Sequence, residues 1–211
     1  MPRLPLLLTP RTKGRWVLLA AGICTLAYMI TNRFHLGAPR TLPLAGLDEA
    51  IPFLPWTFWI YISESFLFLS VYLLARDLGN LNRFLYAIVA AYLLGGAAFL
   101  VWPTVYPRQE FPIGPEAGAL TRWAFSTFRE MDSPASCFPS LHVATCYLAA
   151  MLFWEEQRGK LAFFLVWATA VGVSTLTTKQ HYVADVLAGI LYALLLYGAF
   201  RRWGPAPAVR A

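Results

Sequence analysis

The chain has 211 residues, of which 58% are hydrophobic, 16% aromatic and only 13% charged. Ordinary soluble domains carry about 25% charged residues, so this composition, with a mean hydropathy of +0.55, excludes an ordinary soluble domain. The net charge of +6 comes from bases that are spread over predicted loops and form no stripe. We therefore expect a membrane protein whose neighbours are membrane lipids and which binds no nucleic acid.

Six apolar runs predict six transmembrane helices in a single all-α membrane domain covering residues 1–211. The runs are 16–31, 54–74, 84–102, 139–154, 161–177 and 182–200. A spanning helix needs about 20 mostly apolar residues, with a range of about 17–25. The first, fourth and fifth runs are shorter and need residues from their flanks, and the fourth has the weakest support from hydropathy.

The first run follows several basic residues, so a signal peptide is an alternative to a retained helix. It ends at Thr31-Asn32-Arg33 rather than at a small-x-small cleavage site, which favours the retained helix.

The basic residues also predict the orientation of the bundle. If six spans place both chain ends on the inner side, the inner segments hold 11 Lys and Arg residues and the outer loops hold 6. The positive-inside rule favours this arrangement. We expect cytoplasmic termini in a bacterial inner or plasma membrane.

Glu64 lies inside the second apolar run, in the stretch Tyr61–Phe66. A carboxylate at that depth is costly unless it faces the bundle interior or a wet cavity, and function is the default hypothesis for such a residue. A protonated, structural glutamate that is hydrogen-bonded to another helix is the alternative.

The outer loop between the third and fourth runs, Pro103–Phe138, is long enough to be functional or disordered. Arg108 lies early in it, and a planar guanidinium can bind two phosphate oxygens at once. Further on, apolar residues recur at helical spacing from Leu120 to Met131 with charged residues opposite. This pattern predicts an amphipathic helix, lying either in the membrane interface or against the outer face of the bundle.

The fourth run begins with Pro139-Ser140-Leu141-His142. Proline suits the first turn of a helix, where its missing N–H costs nothing. The free N–H groups of that turn, together with Ser140, form an anion site, and His142 lies in the same turn. A capping serine with an incidental histidine is the alternative.

The last outer loop reads Thr178-Lys179-Gln180-His181-Tyr182-Val183-Ala184-Asp185. His181 and Asp185 are four residues apart, so on a helix they would share one face and touch. A carboxylate beside an imidazole fixes its tautomer and stabilises the imidazolium. Lys179 adds a cation, and a purely structural His–Asp pair is the alternative.

Two histidines, a carboxylate, basic residues, a serine and a helix N-terminus together suit phosphoryl transfer. One histidine would attack phosphorus, the other would protonate the departing oxygen, and the cations and N–H groups would hold the phosphate oxygens. The sequence offers no carboxylate cluster for a metal, so we expect a metal-free reaction without a cofactor.

These motifs resemble the type 2 phosphatidate phosphatase superfamily of lipid phosphatases and phosphotransferases. The family pattern is K-x6-R-P, then P-S-G-H, then S-R-x5-H-x3-D. The second motif stands here as Pro139-Ser140-Leu141-His142, and the third as Ser174-Thr175, five residues, His181, three residues and Asp185. Of the first motif Arg108 matches, whereas Val101 and Gln109 depart from it. The resemblance covers Pro103–Gly189, and F-P-S-L-H with H-Y-x-x-D is similar to the inositol phosphorylceramide and sphingomyelin synthase branch.

The resemblance implies a role for each matched residue. His181 would form the phosphohistidine, Asp185 would orient it, and His142 would act first as the acid and then as the base. Ser140 and Arg108 would bind the phosphate of a lipid substrate. Two of the family's basic residues are replaced by Val101 and Thr175, and we infer that Lys179 substitutes for one of them.

Three classes of function remain open. The first is a lipid phosphatase or headgroup transferase, the second a transporter or channel with a proton path through Glu64 and the histidines, and the third a non-catalytic scaffold. The histidines lie at one membrane face rather than along a path, and paired broken helices are not evident, which argues against transport. The oligomeric state is not predicted.

Overall fold

A computed structural model describes residues 4–204 of the chain, and Arg3 and Arg210 of the charge distribution lie outside this range. The described part is helical, which confirms the all-α prediction. Its helices are α1 (Lys13–Arg33), α2 (Gly46–Ala50), α3 (Phe58–Ile62), α4 (Glu64–Leu74), α5 (Leu78–Val101), α6 (Ala119–Met131), α7 (Leu141–Met151), α8 (Arg158–Thr177) and α9 (Val183–Trp203). Two short strands, β1 (Arg40–Thr41) and β2 (Thr104–Val105), pair in parallel.

Five helical segments of the described chain are long and apolar enough to cross a membrane. They are Lys13–Arg33, Pro55–Leu74, Leu78–Val101, Arg158–Thr177 and Val183–Trp203. The fourth predicted span instead folds as a shorter apolar segment, Leu141–Trp154. At 1.5 Å per residue this segment is about 21 Å long, against a hydrocarbon core of about 30 Å. A total of six membrane spans therefore stays a prediction.

The short segment is the central element of the bundle, because α7 packs against α4, α5, α8 and α9. Small residues let the neighbouring helices approach it closely. A β-carbon at Gly189 of α9 would lie 2.6 Å from the carbonyl oxygen of Ser140, and one at Gly95 of α5 would lie 2.7 Å from the side chain of Leu141. A helix covered on all sides in this way does not need to present a full membrane-spanning apolar surface to lipid.

The long connecting segments meet at one end of the bundle. Strand β1 joins β2, Thr104 bridges to Ser136, and the Leu54 N–H donates to the Thr177 carbonyl. At the other end the short loops are joined by ion pairs such as Arg83–Glu155. The segments that carry the three motifs are therefore gathered at the same end of the bundle.

The predicted amphipathic helix forms as α6. It packs on α3 through Phe125, whose ring stacks on Phe58 at a centroid distance of 4.7 Å, and through Phe128, which contacts Tyr61. Trp123 remains 68% exposed. The contacts with α3 match the alternative in which this helix packs against the outer face of the bundle. A position of the helix in the membrane interface, which the exposed tryptophan would suit, stays a prediction.

Candidate active site

His181 and Asp185 are brought together at the start of α9. His181 lies just outside the helix, contrary to the expectation that both residues share a helix face. They meet because Asp185, in the first turn, reaches back and accepts a hydrogen bond from the Tyr182 N–H at 2.8 Å. The same oxygen, Oδ2, lies 3.3 Å from His181 Nδ1, and both side chains are buried.

The loop that carries His181 is held from a distant part of the chain. Asp48 accepts a hydrogen bond from the Val183 N–H at 2.8 Å and thereby caps α9. The Lys179 ammonium donates to the carbonyls of Asp48 (2.8 Å) and Ile51 (2.6 Å). Burial lowers the pKa of this ammonium, and the Asp48 carboxylate opposes that shift. In this structure Lys179 tethers the loop, and its phosphate-binding role stays a prediction.

His142 lies in the first turn of α7, with its ring centroid 6.1 Å from that of His181. Its Nε2 is 3.3 Å from Glu64 Oε2, and its Nδ1 is 3.4 Å from the Tyr61 hydroxyl. The second Glu64 oxygen accepts a hydrogen bond from Thr145 at 2.9 Å. Glu64 therefore faces the bundle interior and contacts a histidine of the second motif.

Ser140 is the N-cap of α7, and its hydroxyl accepts a hydrogen bond from the Val143 N–H at 3.4 Å. Pro139 precedes this cap, so it lies just before the first turn rather than in it. The Ser140 N–H donates to the Asp185 carbonyl at 3.1 Å. This bond joins the second motif directly to the third.

Two arginines converge near the histidines. Arg108 makes an ion pair of 2.9 Å with Asp132, and Arg129 donates to the carbonyls of Phe111 (2.8 Å) and Thr178 (3.1 Å). Within residues 4–204, the buried Nε atoms of both arginines have no hydrogen-bond partner. Burial, and secondarily the charge of Arg108, lower the pKa of Arg129 to about 10. Two neighbouring guanidiniums with unused donors favour an anion between them.

Sequence reasoning missed Arg129, Asp132 and Tyr61. In the sequence, Arg129 falls on the charged face of the amphipathic helix with Arg122, which is exposed, and no feature of the sequence distinguishes the two arginines. Tyr61 is three residues before Glu64, and this spacing on a helix was the one available signal.

A cavity of about 290 Å³ opens beside this group, lined among others by His142, Asp132, Phe128 and Met131. Its walls thus combine an imidazole and a carboxyl group with apolar side chains. Ser174, in contrast, donates its hydroxyl to the Val171 carbonyl of its own helix at 2.6 Å. The hydrogen bond of Ser174 is therefore local to α8.

Cys137, His181 and Asp185 place their ligand atoms within 4.8 Å of one another, so the described residues include a set with the spacing of a metal site. Burial first, and then the Asp185 carboxylate, raise the pKa of the Cys137 thiol far above its ordinary value. Two members of this set, His181 and Asp185, also belong to the third motif.

Residues 29–199 match a protein-family model described as the PAP2 superfamily. The chain belongs to the PAP2 superfamily. Phosphatases and phosphotransferases generally make up the PAP2 superfamily, and every residue of the candidate site lies inside the matched range. The resemblance of the motifs to type 2 phosphatidate phosphatases is thereby confirmed at the level of the superfamily.

A curated relative from Methanocaldococcus jannaschii, named as an uncharacterized protein, is 27% identical over 122 residues. The match covers 58% of this chain and 48% of the relative, so it spans about half of that relative's length. The relative's name assigns no activity, and the functional argument rests on the PAP2 superfamily and on the geometry of the site.

Proposed function

We propose that the chain is a membrane-embedded lipid phosphatase or phosphotransferase that works through a phosphohistidine, on the extracytoplasmic side of a bacterial inner or plasma membrane. One observation carries the proposal. Two imidazole rings lie with their centroids 6.1 Å apart, and each has a carboxyl oxygen of its own at 3.3 Å. Such a pair can supply both a nucleophile and a proton donor to one phosphate.

His181 is the better candidate for the nucleophile. Asp185 favours a proton on Nδ1, because its oxygen faces that nitrogen, and this leaves the lone pair on Nε2 free to attack phosphorus. The new bond joins Nε2 to phosphorus while the bond from phosphorus to the leaving oxygen breaks. Asp185 then stabilises the positive charge that develops on the ring.

His142 supplies the proton for that step. Glu64 faces its Nε2 and the Tyr61 hydroxyl faces its Nδ1, and together these partners orient the ring. The imidazolium gives one of its protons to the leaving oxygen and becomes neutral. It then takes a proton from the water or alcohol that attacks phosphorus, so the second step restores both histidines.

The phosphate oxygens would be held by Arg108, Arg129 and the N–H groups at the start of α7. The two guanidiniums supply positive charge without a metal, and their Nε donors are unused. Preorganised donors of this kind usually give the largest share of transition-state stabilisation. Arg129 thus offsets the loss of the basic residues that Val101 and Thr175 replace.

The substrate class is a lipid phosphate such as phosphatidate, a polyprenyl diphosphate or a phospholipid. The alternative is a headgroup transferase of the inositol phosphorylceramide or sphingomyelin synthase type, in which a lipid alcohol replaces water. The motif resemblance favours transfer. Both reactions share the phosphohistidine step, so the site geometry does not separate them. A scaffold without activity is the remaining alternative.

The test uses the purified chain in detergent with a chelator present. Phosphatidate, polyprenyl diphosphate and phosphatidylinositol are offered with and without ceramide or diacylglycerol, and free phosphate and new lipids are measured beside His181→Ala. Phosphate release that the variant loses supports a metal-free phosphatase, and a new phospholipid without free phosphate supports the transferase. Activity that survives in His181→Ala, or activity that requires added metal, contradicts the proposal. If neither free phosphate nor a new lipid forms with any of these substrates, the result favours the scaffold.

A further inference from the structure

An apolar cleft of about 350 Å³ lies between α1, α4 and α5. It exists because α1 packs against α5, whereas α4 packs against α7 and α8. Its walls include Val17 and Ala21 of α1, Phe68 of α4, and Phe84 and Ile88 of α5. Of the described residues that line the cleft, none carries a charge. Its volume lies within the range of about 300–1,000 Å³ that is usual for small-molecule sites.

The cleft adjoins the cavity at His142. Tyr28 and Tyr92 line both, and their rings meet edge to face at a centroid distance of 6.4 Å. The Tyr28 hydroxyl donates to Asp132, which is the ion-pair partner of Arg108. The two tyrosines therefore form a wall with the proposed phosphate-binding region on one side and the mainly apolar cleft on the other.

The depth of the cleft suits a hydrocarbon chain. Its lining on α1 extends from Val17 to Tyr28, which is about 16 Å at 1.5 Å per residue. This is about half of a hydrocarbon core of roughly 30 Å. At the far end Lys13 of α1 donates to the Tyr72 carbonyl of α4 at 2.8 Å and joins the two walls.

We propose that this cleft binds one hydrocarbon chain of the lipid phosphate, with the phosphate at the two histidines. The occupant follows from three features: an uncharged lining, a position between helices that are apolar enough to cross a membrane, and a wall, formed by Tyr28 and Tyr92, that the cleft shares with the cavity at His142. The nature of the headgroup rests on the proposed function, whereas the affinity for a hydrocarbon chain rests on the cleft itself.

The first test fills the cleft with Ala21→Trp and measures kcat/KM for long-chain and short-chain substrates with the same headgroup. The matched control is Leu19→Trp. It lies two residues earlier, on the opposite face of α1, and is 52% exposed. Displacing two methylenes corresponds to about tenfold, so Ala21→Trp should lower the long-chain to short-chain ratio at least about tenfold while Leu19→Trp leaves it unchanged. An unchanged ratio in Ala21→Trp, or an equal change in both variants, overturns the proposal.

The second test does not depend on turnover. A phosphatidate with a diazirine near the end of one acyl chain is photolysed with the wild-type chain, and the labelled peptides are mapped. Labels within Val17–Tyr28 and Phe84–Tyr92 that unlabelled phosphatidate displaces support the cleft. Labels spread over the lipid-facing surfaces overturn it. Labelling of the cleft without turnover would reject the proposed function and support the binding site. Turnover that does not depend on chain length would support the proposed function and reject the binding site.

Discussion

The two histidines of the candidate site are held by different means. His181 lies in a loop, and its carboxylate, Asp185, is four residues away and is fixed by the intervening backbone. His142 lies at the start of α7, and its carboxylate, Glu64, comes from α4. The first pair is local and depends on one turn of chain. The second exists only when α4 is packed against α7, so it is the pair that distant substitutions can disturb.

The comparison of the two histidine–carboxyl pairs loses its meaning for catalysis if turnover needs only one of the two histidines. We expect His142→Ala to lower kcat by about 10²–10⁴-fold, the usual range for loss of a general acid. Product formation would be measured in detergent, with circular dichroism and size-exclusion chromatography showing that the bundle is intact. Activity close to wild type would remove His142 from the mechanism and leave His181 alone.

Glu64→Gln tests the pair that depends on packing. Hydrogen bonds to charged groups contribute about 1.5–3 kcal/mol, so we expect kcat to fall by about 10–10²-fold with little change in KM. Because Glu64 acts through His142, Glu64→Asp should recover part of the loss by keeping a carboxyl group at this position. Glu116→Gln, at an exposed loop position, serves as the control. Equal losses in the Gln and Asp variants would indicate a packing role rather than positioning.

Arg129→Gln tests whether the second guanidinium binds phosphate near the loop of His181. Loss of one charged contact should lower kcat/KM by about 10–10²-fold, mainly through KM. Arg122→Gln on the same helix changes an exposed guanidinium and should have no effect. If the loss in Arg129→Gln appears in thermal stability instead of KM, the contacts with Phe111 and Thr178 are its only role.

Gly189→Ala tests the contact that joins the regions of the two histidines. The new methyl group would meet the Ser140 carbonyl at 2.6 Å, and overpacking of this kind usually costs about 1–3 kcal/mol. A lower melting temperature in detergent would show it. Gly198→Ala, also on α9, meets nothing within 4 Å and should be neutral or stabilising. Equal behaviour of the two variants would mean that α7 and α9 approach less closely than described.

The local half of the site could be predicted from the sequence, whereas the rest could not. The pairing of His181 with Asp185 follows from spacing along the chain, although the helix begins after His181. The contact of Glu64 with His142 and the convergence of Arg129 on Arg108 depend on which helix faces meet, and periodicity does not specify this. The all-helical fold follows from the composition together with the lengths of the apolar runs. The short central segment does not, because hydropathy cannot tell a helix buried in a bundle from one that crosses a bilayer.

The segments that cover His181 have a consequence for how the reaction would be observed. With Asp48 and Lys179 tying the loop down and His181 only 5% exposed, the proposed lipid substrate would enter from the side of the bundle. An enzyme of the proposed kind would meet its substrate within the plane of the membrane. Its rate would follow the mole fraction of lipid phosphate in the bilayer or micelle, and added inert detergent would slow it at constant bulk concentration.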